Sequence, residues 1–185
     1  MKKSILTAVI ALAFNATVSF AQTGNTMVGG NTMYPAKNII ENALNSEDHT
    51  TLVAAVKAAG LVETLQGKGP FTVLAPTNDA FENLPQGTVE TLLQPENKSK
   101  LSGVLTYHVL SGKFDFNTVS KAIKDGKGSV TMKTVSGGSL KFMMNGNHNI
   151  TVTDENGGVA NISTYDVYQS NGVIHVLDKV LLPKM

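Results

Sequence analysis

The spacing of apolar residues changes along the chain, and this change predicts the architecture. In the first third, apolar side chains recur three and four positions apart, which is the period of an amphipathic helix. This spacing predicts three helices, over 37–44, 52–59 and 61–65. Asp48 or Thr50 can cap the start of the second helix, and Gly60 suits the left-handed residue after its end.

The segment Gly69–Phe81 combines strand and helix signals around two prolines. Residues 71–75 form an apolar run that Pro76 ends. Thr77, Asn78 and Asp79 then offer side-chain oxygens to the free N–H groups of a helix that buries Ala80, Phe81 and Leu84. Further short helices are predicted over 88–93 and from Pro95 to about Leu105.

The second half of the chain alternates apolar and polar residues with a period of two. Leu140, Phe142 and Met144 share one face, Asn145-Gly146 is a hairpin signal, and Ile150 and Val152 continue the pattern on a return strand. Further strands are predicted over 130–132, 159–162 and 173–177, and Asn117 can cap one more helix. The expected class is α+β, with helices packed on one side of a β-sandwich or folded sheet.

The N-terminus has the three parts of a secretory signal: Met1-Lys2-Lys3, the apolar run Ile5–Phe14, and Ser19-Phe20-Ala21. The run is shorter than the ~20 residues of a membrane span, which favours cleavage after Ala21 over an uncleaved anchor. The predicted localisation is secreted or periplasmic. Residues 22–36, rich in Gly, Asn and Thr, are expected to form a flexible leader before one domain over 37–185.

Composition narrows the possible functions. The chain has no cysteine, which excludes disulfides and thiolate chemistry. Its formal net charge is +1 and its basic residues are all lysine, so nucleic acid is not an expected partner. No phosphate-binding loop, nucleophile elbow or H-E-x-x-H motif occurs in the sequence, and no catalytic residue, metal site or cofactor is predicted.

The four histidines offer the remaining candidate chemistry. None lies three or four residues from another, so no helical metal pair is present. His108 follows Tyr107 on a predicted strand, where the two side chains point to opposite faces and one is buried. We expect a buried His108 to hydrogen-bond a carboxylate or backbone group, with Asp79 as the expected partner. A catalytic His–Asp dyad is the alternative, although no nucleophile is visible beside it.

Three segments together, 69–81, 105–109 and 171–183, resemble the fasciclin (FAS1) family in order and spacing. The resemblance implies a wedge of about seven strands with a helical layer at one side. The positions that match the structural motif of the family are Thr77, Asn78, Asp79, Phe81, His108, Asn171 and Gly172.

The resemblance also implies a function, a non-catalytic module for adhesion to a cell-surface or matrix protein or glycan. The matching candidates for partner binding are Tyr107, His108, His175 and Asp178. Asp178 departs from the family pattern because Lys179 follows it instead of isoleucine, and Asp178 can equally be a turn residue after a core strand. The alternative function is a carrier of a small apolar ligand such as a carotenoid or lipid, for which methionine and phenylalanine residues could form a lining.

Overall fold

The computed structural model describes residues 25–184, so the predicted signal segment 1–21 lies outside the described residues. The helices are α1 (Ile39–Ala43), α2 (Thr50–Ala59), α3 (Val62–Gln66), α4 (Asn78–Glu82), α5 (Thr88–Leu92), α6 (Lys98–Tyr107) and α7 (Phe116–Asp125), with 3-10 turns at Glu47–His49 and Pro95–Asn97. The strands are β1 (Thr26–Val28), β2 (Asn31–Met33), β3 (Phe71–Pro76), β4 (Val109–Ser111), β5 (Ser129–Lys133), β6 (Ser139–Asn145), β7 (Asn149–Thr153), β8 (Val159–Gln169) and β9 (Gly172–Leu177).

Seven of these strands form one sheet in the order β4-β3-β9-β8-β7-β6-β5. All neighbours are antiparallel except β3 and β9, which run parallel. The long strand β8 changes register against β9 twice, between Ile162 and Thr164 and between Thr164 and Val167. Such irregularities bend a strand, and β8 thereby joins the two halves of the sheet. The predicted α+β class with about seven strands is confirmed.

Two hydrophobic cores lie on opposite faces of the central strands. In β3, Val73 and Ala75 pack into the first core with α1, α2 and α6, while Leu74 packs into the second core with α7 and the hairpin β6–β7. Successive side chains of a strand point to opposite faces, so a strand between two cores is buried at every position and is mostly apolar. All of β9 is buried for this reason.

Two short strands lie within the segment 22–36 that is expected to form a flexible leader. Strands β1 and β2 pair as an antiparallel hairpin, here called the N-terminal hairpin (residues 26–33). Gly29 and Gly30 supply the positive φ angles of its turn, 56° and 72°. Met33 is 3% exposed and packs into the first core. Residues 22–24 of the expected leader lie outside the described residues, and the flexibility of the leader stays a prediction.

The strand predicted through Tyr107 and His108 is also wrong. Helix α6 continues to Tyr107, His108 is its C-terminal cap, and the strand begins at Val109. Leu101 and Leu105, one helical turn apart, both pack into the first core and keep this segment helical. The predicted cap of this next helix, α7, by Asn117 is also wrong. Asp115 caps α7 by accepting a hydrogen bond from the N–H of Thr118.

Candidate functional site

The turn after β3 joins the sheet to the helical layer. The Thr77 hydroxyl oxygen caps α4 by accepting a hydrogen bond from the N–H of Ala80, and the N–H of Thr77 donates to the carbonyl of Leu177. Phe81 is buried in the first core. Asp79 lies in the first turn of α4 with its side chain exposed.

Asn78 caps a neighbouring helix rather than its own. Its Oδ1 accepts hydrogen bonds from the N–H of Thr51 (3.0 Å) and the hydroxyl of Thr50 (3.2 Å) at the start of α2. Its Nδ2 donates to the carbonyl of Glu47 at 2.8 Å. The predicted cap by Asp48 or Thr50 is therefore wrong, because the free N–H group of α2 is satisfied across the domain.

Asn171 fixes the turn between β8 and β9 to the helical layer. It is 7% exposed, and its Oδ1 accepts from the N–H of Ile39 at 3.1 Å. Its Nδ2 donates to the carbonyls of Leu65 (2.8 Å) and Gly67 (2.9 Å). One buried amide thus holds the start of α1 and the end of α3 to the turn between β8 and β9.

Gly172 allows the parallel strands β3 and β9 to approach closely. A Cβ atom at this position would lie 2.1 Å from the carbonyl oxygen of Phe71, which is backbone and has little freedom to move. The requirement for glycine here is steric, because the φ angle of Gly172 is not in the positive region.

His108 is bound by two backbone groups and not by Asp79. Its Nε2 accepts the N–H of Leu181 at 2.9 Å, so Nδ1 carries the proton and donates to the carbonyl of Val104 at 2.8 Å. The prediction that Asp79 bonds to His108 is wrong, since the Asp79 side chain is exposed on α4. Burial lowers the pKa of His108 to about 4, an effect that Asp154 and the Val104 carbonyl partly oppose.

Tyr107 points into the second core and is 0% exposed. Its hydroxyl donates to the carbonyl of Ser139 at 2.9 Å and accepts the N–H of Glu155 at 3.1 Å. Burial raises the pKa of Tyr107 above its ordinary value. The phenol therefore joins α6 to the start of β6 and to the loop after β7.

His175 lies in β9 and is 2% exposed. Its Nδ1 accepts the N–H of Asp166 at 3.3 Å, and its Nε2 donates to the carbonyl of Phe114 at 2.8 Å. Burial lowers the pKa of His175. Asp166 has a φ angle of 55° within the irregular part of β8, an unusual conformation for a residue other than glycine. The imidazole thus satisfies a backbone N–H that the bend in β8 removes from the sheet.

Asp178 follows β9 and is partly exposed. Its two carboxylate oxygens accept hydrogen bonds from the backbone N–H and the side-chain amide of Asn161, each at 2.7 Å. The carboxylate therefore closes the end of the β8–β9 pair, as a turn residue would.

The four candidates for partner binding are thus not equivalent. Tyr107, His108 and His175 are buried and bonded to backbone, so in the folded domain described here they cannot contact a partner directly. Asp178 keeps an accessible edge and remains a candidate.

Asp154 is a structural residue that the sequence analysis missed. This carboxylate is 9% exposed and accepts backbone N–H groups of Asn156 (2.9 Å), Gly158 (2.8 Å) and Leu182 (3.0 Å). The first two bonds form a turn of the kind that Asp favours before a glycine-rich segment, so the sequence Asp154-Glu155-Asn156-Gly157-Gly158 carried a local signal.

Two negative findings concern residues 25–184 alone. Within this range, no three His, Cys, Asp or Glu side chains converge in a way that could hold a metal ion. In the same range, no helix is long and apolar enough to cross a membrane.

Comparison with known proteins identifies the relatives of this domain. The family model of the fasciclin domain matches residues 47–183. Protein sll1483 of Synechocystis is 47% identical over 150 residues, which are 81% of this chain and 76% of that protein. Human periostin is 32% identical over 147 residues, 78% of this chain but 16% of periostin.

The structure of a FAS1 domain pair from the insect cell adhesion molecule fasciclin I matches with a TM-score of 0.69 at 17% identity. The match covers 85% of this chain and 57% of that one, and it supports the fold. On the extent of the family match and the identity to sll1483, this chain belongs to the fasciclin family.

Proposed function

We propose that the protein is an exported, non-catalytic binding module that attaches to a cell-surface or matrix protein or glycan. The observation that carries this proposal is that the side chains best suited to acid–base chemistry are bonded inside the domain. The two imidazoles and the phenol at the motif positions are bonded to backbone groups that join separate elements. Such side chains stabilise a rigid scaffold, and a rigid scaffold can bind through its surface with little loss of conformational freedom.

The family membership supports the same proposal. The fold is shared with a FAS1 domain pair of the insect cell adhesion molecule fasciclin I. The N-terminal segment, with its lysines, apolar run and Ser19-Phe20-Ala21, supports export to the compartment where such binding takes place.

The surface we assign to the partner lies at the end of the β8–β9 pair and is formed by Asn161, Ser163, Asp178 and Lys179. Asn161, Ser163 and Lys179 are exposed, and Asp178 is partly exposed. Hydroxyl, amide, carboxylate and ammonium groups together can donate and accept hydrogen bonds, as recognition of a polar protein surface or a glycan requires.

The test uses the protein purified from its own host and a variant that removes charge without changing shape. Asp178→Asn can keep both bonds to Asn161 if the Asn161 amide rotates, because an amide offers one donor and one acceptor. Asp125→Asn is the matched control, since Asp125 is an exposed carboxylate of α7 in a helical ion pair with Lys121.

We expect labelled wild-type protein and Asp125→Asn to bind host cells equally, and Asp178→Asn to bind several-fold more weakly at an unchanged melting temperature. Equal binding by all three proteins would place the binding surface elsewhere. The adhesive function itself would be contradicted if a deletion strain attaches normally and the immobilised protein retains no cell-surface component.

A further inference from the structure

The turn between β7 and β8 holds the C-terminal segment of the domain. The side chains of residues 154–156 in this turn bond to the main chain of residues 182–184. Asp154 accepts the N–H of Leu182 at 3.0 Å, and Glu155 accepts the N–H of Lys184 at 3.4 Å. We call these two segments, 154–156 and 182–184, the C-terminal clasp.

Asn156 supplies a donor side chain to the C-terminal clasp. Its Nδ2 donates to the carbonyl of Leu182 at 2.8 Å and to that of Pro183 at 3.2 Å. Both bonds need an N–H group on residue 156, and a carboxylate there would place oxygen against two carbonyl oxygens. Asp154 and Glu155 already bring two carboxylates to this turn, so a third would add repulsion between like charges.

Asn156 is followed by Gly157, and such a pair is open to an intramolecular reaction. Because glycine has no side chain, the backbone nitrogen of Gly157 can approach the Cγ atom of Asn156 without steric hindrance. Both residues are exposed, as is Gly158 after them, so water and hydroxide can reach the reacting atoms. The turn thus combines a labile dipeptide with the amide that holds the C-terminal segment.

We propose that Asn156 is a site of spontaneous deamidation, and that its product opens the C-terminal clasp as the protein ages. The Gly157 nitrogen gives its proton to hydroxide and bonds to Cγ of Asn156. The bond from Cγ to Nδ2 breaks, and Nδ2 takes a proton from water and leaves as ammonia. The product is a five-membered succinimide ring that contains the Gly157 nitrogen.

Water then opens the ring in one of two ways. Addition at Cγ breaks the bond from Cγ to the Gly157 nitrogen and gives aspartate. Addition at the main-chain carbonyl carbon of residue 156 breaks its bond to the same nitrogen and gives isoaspartate. The net reaction consumes one water molecule, leaves a carboxylate and releases ammonium, with no oxidation or reduction. Neither product keeps the N–H donor, so both lose the bonds to Leu182 and Pro183.

Two other Asn-Gly pairs in the chain serve as internal references. Asn145 and Gly146 are both exposed in the β6–β7 hairpin. Asn171, before Gly172, is 7% exposed and its side-chain amide makes three hydrogen bonds. Asn156 is exposed, but its amide must first leave two carbonyls. The structure therefore orders the rates of conversion as Asn145, then Asn156, then Asn171.

The inference goes beyond the adhesive role, because it concerns a chemical change within the domain and not a partner. The first experiment stores the full mature protein at pH 8 and follows the three pairs by peptide mass spectrometry that separates the asparagine, aspartate and isoaspartate forms. Asn156→Gln is stored in parallel. Glutamine keeps an amide donor, but its reaction would need a six-membered ring, which forms far more slowly.

The second experiment tests the effect on the C-terminal clasp and does not depend on the rate of conversion. Asn156→Asp reproduces one product directly. Asn147→Asp makes the same change of charge at an exposed position between β6 and β7, and it is the matched control. Hydrogen exchange at the amide of Leu182 reports the clasp, because this N–H is bonded to Asp154 within it.

We expect conversion in the order Asn145, Asn156, Asn171, with Asn171 unchanged until the protein unfolds. Asn156→Asp should speed exchange at Leu182 about tenfold, and Asn147→Asp should leave it unchanged. Stored wild-type protein should gain the same fast exchange in proportion to its converted fraction, and stored Asn156→Gln should not. Intact Asn156 after Asn145 has fully converted would overturn the proposed site. Equal Leu182 exchange in the wild type and Asn156→Asp would overturn its effect on the clasp.

Discussion

The burial of a neutral imidazole at His108 should make the domain sensitive to acid. Protonation would place a second donor at Nε2, facing the N–H of Leu181, in a site without solvent. The pKa of His108 is about 4 in the folded protein and 6.5 when unperturbed. The folded pKa is depressed, so the unfolded chain binds the proton more readily and stability falls as pH falls from 6.5 towards 4.

The magnitude follows from this difference. At about 1.4 kcal/mol per pH unit, the gap between the two pKa values corresponds to roughly 3 kcal/mol of stability that is present above pH 6.5. Most of it, about 2 to 3 kcal/mol, should be lost by pH 4.5. Solvent does not weaken this effect, because His108 is only 3% exposed.

The assay compares the free energy of unfolding in urea for the wild type and His108→Gln at pH values from 7.5 to 4.5. Glutamine can still accept from the N–H of Leu181 but does not titrate. We expect the variant to be about 1 to 2 kcal/mol less stable at pH 7.5, because the bond to the Val104 carbonyl is lost. At pH 4.5 the two curves should meet or cross. His108→Ala should cost more at pH 7.5, because it also leaves the Leu181 N–H unpaired.

Parallel stability curves for the wild type and His108→Gln over this range would refute the reasoning, because the imidazole would then titrate alike in both states. His148→Gln is the control. His148 is exposed in the loop between β6 and β7, so its replacement should change the free energy of unfolding at pH 7.5 by less than about 0.5 kcal/mol.

Three further predictions concern the motif residues. Asn171→Ala removes the three hydrogen bonds of a buried amide side chain and should lower the free energy of unfolding by about 2 to 4 kcal/mol. Asn147→Ala, in an exposed loop, should change it by less than about 0.5 kcal/mol in the same urea titration. Gly172→Ala should prevent the close pairing of β3 with β9 and reduce the soluble yield. Gly103→Ala, at a position of α6 with open space around it, should stabilise the domain by about 0.5 to 1 kcal/mol and so raise the melting temperature. Asn78→Ala should cost about 1 to 2 kcal/mol and increase amide exchange at the start of α2; unchanged exchange there would contradict its role as a cap.

The sequence by itself determined the elements whose signals are local. Apolar spacing places α1 and α2, Gly60 ends α2 in the left-handed conformation, and Asn145-Gly146 separates β6 from β7. The Thr77 cap is equally local, because its acceptor and donor are three residues apart. In each case the residues that interact are neighbours in the chain, so the sequence pattern is sufficient to predict the local structure.

Tertiary structure alone decided what the polar motif residues do. The bond from Ile39 to Asn171 spans 132 positions and that from Leu181 to His108 spans 73, and many other groups could have supplied these partners. A buried polar side chain bonds to whichever backbone group packing leaves free, and packing is set by both cores at once.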